Sequence, residues 1–139
     1  MIRIFSILIL LISNSFADIQ IRKQNDLFCY DGDTCYVIYE GKKDKVRLLD
    51  LDTPEISNPK CEKEYILGIE AREYINQLIS EGKRIEFETE YNRDFFGRIL
   101  SYIIVDGENV SKLMVSHSLG VLYDKNNKKD WCELVRIIA

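Results

Sequence analysis

Apolar and polar residues alternate with a period of two through the first half of the chain and again after residue 84, with one long helical period between. Ile19 to Tyr30 reads as a strand whose apolar end is Leu27, Phe28 and Tyr30. Asp31-Gly32-Asp33 breaks it, and the β-branched and aromatic run Thr34 to Glu40 predicts a second strand. Gly41 to Asp44 makes a turn into a third strand, Lys45 to Leu51, with Lys45, Arg47 and Leu49 on one side and Val46 and Leu48 on the other. Pro54 cannot donate to a sheet ladder, so the strand stops before it.

Leu67, Ala71, Ile75 and Leu78 recur at helical spacing, and Gly82 stands where a helix C-terminus favours a left-handed residue. Ile85, Phe87 and Thr89 alternate with Glu86, Glu88 and Glu90, the pattern of a half-buried fourth strand. Tyr91 to Gly97 reads as a loop and Arg98 to Val105 as a fifth strand stopped by Asp106-Gly107. Ser111 is the expected N-cap of a short helix to Ser118, and Lys128 to Ile138 predicts one more. The class is therefore mostly β with helices (α+β). Three strands, a helix, two strands and further helices is the order of a five-stranded oligonucleotide-binding (OB) β-barrel carrying two to three α-helices.

The first 17 residues, MIRIFSILILLISNSFA, place one cation before an apolar run and end in Ser15-Phe16-Ala17, the small-x-small pattern of a signal-peptidase site. The run is shorter than the roughly 20 residues of a permanent membrane span. Cleavage between Ala17 and Asp18 is expected, giving a secreted or periplasmic protein without stable membrane association; an uncleaved anchor is the rival reading. Residues 18–139 then form one domain, expected to be monomeric. The net charge is −4 for the whole chain, and loss of Arg3 makes the remainder more acidic. A broad positive field for polyanions is thereby excluded, so phosphate must be met by local cations or a bound metal.

Four cysteines in a small exported domain point to disulfides. Cys29 and Cys35 flank a tight turn and can face each other across a hairpin, which leaves Cys61 with Cys132; free buried thiols are the alternative. Zinc is disfavoured, because no C-x2-C spacing occurs and His117 is the single histidine. That solitude also excludes chemistry needing two histidines.

Three segments concentrate polar residues with no evident structural need. Asp31-Gly32-Asp33-Thr34 brings two carboxylates around a glycine, able to approach one cation. Arg47 to Glu55 (RLLDLDTPE) offers a phosphate clamp, a hard oxygen ligand and a base. Asp94-Phe95-Phe96-Gly97-Arg98 uses a glycine to set an arginine at a strand start. Together, in this order, they resemble the thermonuclease (staphylococcal nuclease-like) family pattern D-G-D-T, R-L-x-x-x-D-T-P-E and D-x-[YF]-G-R. Gly68-x-Glu70-Ala71 and Asp106-Gly107 add to a resemblance spanning Leu27 to Leu122.

The resemblance implies calcium held by Asp33, Asp52 and the backbone carbonyl of Thr53, with Asp31 close behind. It implies Glu55 positioning or deprotonating the attacking water, and Arg47 and Arg98 gripping the scissile phosphate. DNA or RNA, single-stranded or frayed, is the implied substrate, and 3′-phosphate ends the implied products. Phosphodiester hydrolysis independently calls for an aligned water, a cation and preorganised positive charge. Arginine's planar fork suits phosphate better than lysine does.

Three departures from the family pattern stand out. Phe96 takes the place of a tyrosine, Asp50 adds a carboxylate read as sharing the strand face of Asp52, and only Lys125 to Ala139 follows where a long basic helix is usual, with Trp131 as a possible anchor. Tyr91, Tyr102 and Tyr123 read as core or rim residues, one of them able to stack on a base. The alternative function is a non-catalytic OB-type binding module for nucleic acid or protein; intact Asp33, Arg47, Asp52, Glu55 and Arg98 argue against it. A dehalogenase-type phosphatase built on Asp31-x-Asp33 would need a parallel sheet, which the strand-rich first half contradicts.

Overall fold

The computed structural model describes residues 26–133. The leader read at residues 1–17, the first part of the strand read from Ile19 and residues 134–139 lie outside them. The elements run β1 (Leu27–Cys29), β2 (Thr34–Tyr39), β3 (Lys42–Leu48), α1 (Glu62–Glu81), β4 (Ile85–Arg93), β5 (Ile99–Val105), β6 (Glu108–Asn109) and α2 (Val110–Ser116). The sheet order is β1-β2-β3-β5-β4, with the two-residue β6 added to β5. All pairings are antiparallel except β3 with β5, where Val46 meets Ile99 and Leu48 meets Ser101. This is the OB-type α+β arrangement, and among the described residues its two outer strands, β1 and β4, are not joined into a closed ring.

Alternation along each strand decides which face turns inward. Cys35 and Val37 of β2, Val46 and Leu48 of β3, Ile85 and Phe87 of β4, and Ile103 and Val105 of β5 are buried together. Helix α1 lays one stripe on this core, Gly68, Ala71, Ile75 and Ile79, at the three- and four-residue steps of an amphipathic helix. Asn76 of the same helix accepts from the backbone N–H of Cys29 (2.9 Å) and donates to its carbonyl (3.0 Å). The outer edge of β1 is thus satisfied by a side chain, not by another strand.

Several boundaries differ from the sequence expectation for local reasons. The hairpin turns at Glu40 and Gly41, both with positive φ (49° and 74°), so β3 begins at Lys42 rather than Lys45. It stops at Leu48 rather than Leu51, because Asp50 adopts a left-handed φ of 56°. Asp50 therefore lies in a turn and does not share a strand face with Asp52. Gly82 is extended (φ −65°, ψ 136°), not left-handed; a Cβ there would lie 2.5 Å from Val105 Cγ1. Strand β4 continues to Arg93 through a register shift, into what reads as a loop. The cap of α2 is Asn109, whose side chain accepts from the Lys112 N–H, while Ser111 is buried and donates to the Leu49 carbonyl (2.9 Å). Residues 128–130 carry no regular structure and 131–133 turn, so the helix read from Lys128 is absent from its described portion.

Two disulfides are present, Cys29–Cys35 across the β1–β2 pair and Cys61–Cys132 between the start of α1 and the C-terminal segment, where Trp131 is buried. The first closes a separation of 6 residues and the second one of 71. Loop-closure entropy scales with that length, so the long bridge contributes about 4 kcal/mol and the short one about 2 kcal/mol. Urea midpoints should show the Cys61→Ser/Cys132→Ser variant losing more stability than Cys29→Ser/Cys35→Ser; the reverse order would refute the entropic account.

Candidate active site

The D-G-D-T turn is folded by its own first carboxylate. Asp31 Oδ1 accepts from the backbone N–H groups of Asp33 (3.1 Å) and Thr34 (2.7 Å), closing the turn. Gly32 is required by proximity: a Cβ on it would lie 2.7 Å from Thr53 Cγ2. The result is that Asp33, buried at 8 % exposure, is set at the end of β2 against β3 and the loop after it.

Asp33 is the centre of the polar cluster. Its Oδ2 accepts from the Thr53 N–H (3.0 Å) and hydroxyl (3.1 Å). Its Oδ1 accepts from the Thr34 hydroxyl (3.1 Å) and pairs with Arg47 Nη1 (3.0 Å). The same Nη1 reaches the carbonyls of Asp33 (3.2 Å) and Leu48 (3.3 Å), while Nη2 has a looser contact, 4.0 Å, to Asp52 Oδ1. Arg47 comes from β3 directly opposite Thr34. Asp52 is fixed through its backbone, which exchanges two 2.9 Å hydrogen bonds with Val121.

Arg98 reaches the same place from the β4–β5 loop. Gly97, at φ 76°, makes the tight turn that a side chain would resist, and Asp94 Oδ1 accepts from the N–H groups of Phe96 (3.0 Å) and Arg98 (2.9 Å). Asp94 Oδ2 then takes Arg98 Nε at 2.7 Å, leaving the terminal nitrogens forward; Nη1 lies 3.3 Å from the Thr34 hydroxyl. Thr34 thereby links Asp33 to Arg98 through one oxygen.

Glu55 extends from the loop before α1. Its backbone N–H donates to Glu64 Oε1 (3.4 Å) and that of Lys60 to Glu64 Oε2 (2.6 Å), so a buried carboxylate at the first turn of the helix holds the loop. Asp31, Asp33, Arg47, Asp52, Glu55 and Arg98 all line one cavity of about 600 Å³. Asp50 lines it as well and accepts a hydrogen bond from the Tyr102 hydroxyl. Tyr123 stands 5.9 Å from the Arg47 guanidinium, and Lys128 completes the wall. His117 is not part of it; its ring lies tilted against that of Tyr74 at the end of α2, with centroids 4.7 Å apart. The side chain of Tyr91 lies outside what is described.

Charge in the cavity is unbalanced towards acid. Burial, then the charge of Asp33, pushes Asp31 up to about 6. The same two causes in the same order raise Asp52 and Glu55, with Lys128 opposing. Carboxylates that raise one another's proton affinity across a shared space suit a site that takes a cation. The donors are all oxygen, which fits a hard divalent ion such as calcium and not zinc. Among the described residues no group of three or more His, Cys, Asp or Glu is arranged so as to hold a metal ion by itself.

Sequence reasoning did not assign roles to Thr34, Glu64, Asp94 or Lys128. Glu64 had a readable signal, the C-x-x-E spacing from the N-cap Cys61, whose Sγ accepts from the Glu64 N–H at 3.4 Å as serine does in a capping box. Asp94 lay four residues before Arg98, within one tight loop.

Fold and cavity together define a small OB-type domain with an acidic cavity flanked by two arginines. The staphylococcal nuclease homologue family model matches residues 45–135, and the chain belongs to that family. It is 41% identical over 103 residues to Endonuclease YncB of Bacillus subtilis (strain 168), covering 70% of this chain and 48% of that protein. It is 38% identical to the SPbeta prophage-derived endonuclease YokF of the same organism, covering 70% and 34%. An uncharacterized endonuclease of Escherichia coli is 32% identical over 98 residues, covering 70% and 58%. The chain thus spans about half the length of the curated relatives it matches.

Asp94 supplies a pH test of the Arg98 loop. Burial works against its ionisation, but the backbone N–H and guanidinium of Arg98 outweigh burial and hold its carboxyl below the usual range. Its contribution to stability is therefore full above the unfolded value of about 3.9 and is lost as pH falls through the lower folded value. Asp94→Asn should flatten the acid limb of the urea-midpoint profile below about pH 4. An unchanged limb would show that the Asp94–Arg98 pair is not formed in solution.

Proposed function

We propose that this chain is an exported, calcium-dependent nuclease that hydrolyses phosphodiester bonds in single-stranded or frayed DNA and RNA and leaves 3′-phosphate ends. The observation that carries the reading is the convergence of Asp33, Asp52, Glu55, Arg47 and Arg98, drawn from three separated segments, on one cavity. Membership of the nuclease family and the names of its relatives support it.

Asp33, Asp52 and the Thr53 carbonyl are the groups that would hold calcium. When bound, the ion supplies positive charge to a nonbridging phosphate oxygen and orders water beside it. Glu55, raised in proton affinity by burial and by the Asp33 charge, accepts the proton of the attacking water. Arg98, with Nε held by Asp94, presents its remaining N–H groups to the phosphate, and Arg47 offers its looser Nη2 edge. Both meet the negative charge that accumulates on the phosphoryl oxygens, at sites already oriented before substrate arrives. The water oxygen bonds to phosphorus as the P–O5′ bond breaks, and the departing 5′-oxygen takes its proton from solvent. Phe96 offers no hydroxyl to this phosphate, which leaves the two arginines, Thr34, Tyr123 and Lys128 as side-chain donors on the cavity lining.

End-labelled single-stranded DNA and RNA should be cut with calcium and spared with a chelator. Glu55→Gln and Arg98→Ala should each lower the rate by about 10²–10³ while urea midpoints stay near wild type. Folded protein that binds but does not cut in calcium would replace this reading with a binding module. Mass spectrometry of the exported protein should find Asp18 at the N-terminus, whereas intact Met1 in a membrane fraction would overturn the cleaved-leader reading.

A further inference from the structure

The strand that delivers Arg47 to the cavity carries two more cations on the same side. Burial alternates along β2 and β3, with Cys35, Val37, Val46 and Leu48 inward, so Thr34, Tyr36 and Ile38 project outward beside Arg47, Lys45 and Lys43. Their register is direct: Thr34 opposite Arg47, Tyr36 opposite Lys45, Ile38 opposite Lys43. Thr34 and Arg47 line the cavity. The next cations therefore leave it in steps of two residues, about 6.7 Å each along the strand. A stretched nucleic-acid strand can match such a spacing phosphate for phosphate.

Aromatic rings lie alongside. Phe28 is opposite Tyr36 across the β1–β2 pair, and the ring centroids are 5.8 Å apart; Tyr30 lies 5.3 Å from Tyr36 on the cavity side. Phe28 and Tyr30 are 44% and 40% exposed, so their apolar faces are not used for the core. Lys43 Nζ sits 3.7 Å from the Tyr36 ring centre and 5.6 Å from that of Tyr30. Neither Lys43 nor Lys45 forms an ion pair among the described residues, whereas the acid between them, Asp44, is taken by Arg93 at 2.7 Å. Where Phe28 and Tyr36 meet α1, a groove of about 860 Å³ adds the side chains of Arg72 and Gln77, which can bond base edges or phosphate.

We infer that Lys43 and Lys45, with the rings of Phe28, Tyr30 and Tyr36, form a track that holds an extended single strand of DNA or RNA and leads it to the cavity. Cations in a row take the backbone, and rings beside them take the bases by stacking, without sequence preference. In a chain of net charge −4 this is a local route by which a polyanion is held outside the acidic pocket. The inference rests on the nuclease reading for the identity of the strand, and its test is independent of cutting.

Anisotropy of fluorescein-labelled dT15 and U15 would be measured in chelator, where no cleavage is expected, across a salt series. Lys43→Gln/Lys45→Gln should weaken binding and reduce the slope of log affinity against log salt by about 1.4, two cations at 0.7 each. Tyr36→Leu should weaken binding roughly tenfold with the salt slope unchanged. In calcium, both variants should raise KM for the 15-mers while leaving kcat/KM on a dinucleotide at the wild-type value. Affinity and salt slope within error of wild type in both variants would overturn the track. So would concentration-dependent self-association of wild type that the same substitutions abolish, since a second copy would then cover the rings. If wild type binds through these residues yet cuts nothing, the nuclease reading fails and the track stands.

Discussion

One carboxylate organises the functional end of this domain. Asp33 accepts four donors from β2, β3 and the loop after β3, and its backbone carbonyl takes the Leu48 N–H at 2.9 Å. Because the group is nearly buried, each of those bonds is stronger than it would be in water, and each is also obligatory. Losing one member of such a pair leaves a charge without a partner, on the order of 3–5 kcal/mol. The turn, the arginine and the Thr53 backbone are held in one arrangement by this single residue. Asp31 and Thr34 serve it from either side, one by folding the loop and the other by passing the network to Arg98.

The same design explains why the cavity is acid-rich. Arg47 is spent mainly on Asp33 and Arg98 on Asp94, so Asp52 keeps only the loose edge of Arg47 and the charge of Lys128, Glu55 keeps Lys128, and Asp31 keeps the N–H groups of its own turn. A cation would relieve this mutual repulsion, and the two arginines would then face an incoming phosphate less opposed. Outside the pocket the pattern inverts: among the described residues Lys43 and Lys45 have no carboxylate partner, and Lys43 lies over the Tyr36 ring beside the exposed rings of Phe28 and Tyr30. Attraction and chemistry are thus separated along one face of the sheet, a division that a uniformly basic surface would not provide.

The strands were legible because period-two alternation survives in TCYVIY and in the Ile85–Thr89 run, where one face is core and the other water. The helix was legible from Ala71 and Ile75. Boundaries were less so: Asp50 ends β3 by adopting a backbone angle that aspartate tolerates but does not advertise, and Asn109 rather than Ser111 caps α2 because Ser111 is drawn inward to Leu49. The cavity residues were readable because each motif keeps its acids or arginine within a few positions. What holds them was not. Thr34's link to Arg98 and the Asn76 clasp on Cys29 act across long sequence distances, and their chemistry is shared by many surface residues with no such role.

The parallel pairing of β3 with β5 has a consequence for how the site comes into being. Val46–Leu48 and Ile99–Ser101 are neighbours only after α1 and β4 have been threaded between them. Contacts of such sequence separation form late, since the entropy of closing the intervening loop must be overcome before the contact rewards it. Arg47 lies within that seam, opposite Leu100, and Arg98 immediately precedes it. The nascent chain can fold its first hairpin and place Asp33 against Arg47 long before Arg98 arrives, so the half-built site lacks its second cation until the seam closes. The parallel seam thus makes the assembled cavity a property of the domain from β1 to β5 and not of its first hairpin alone.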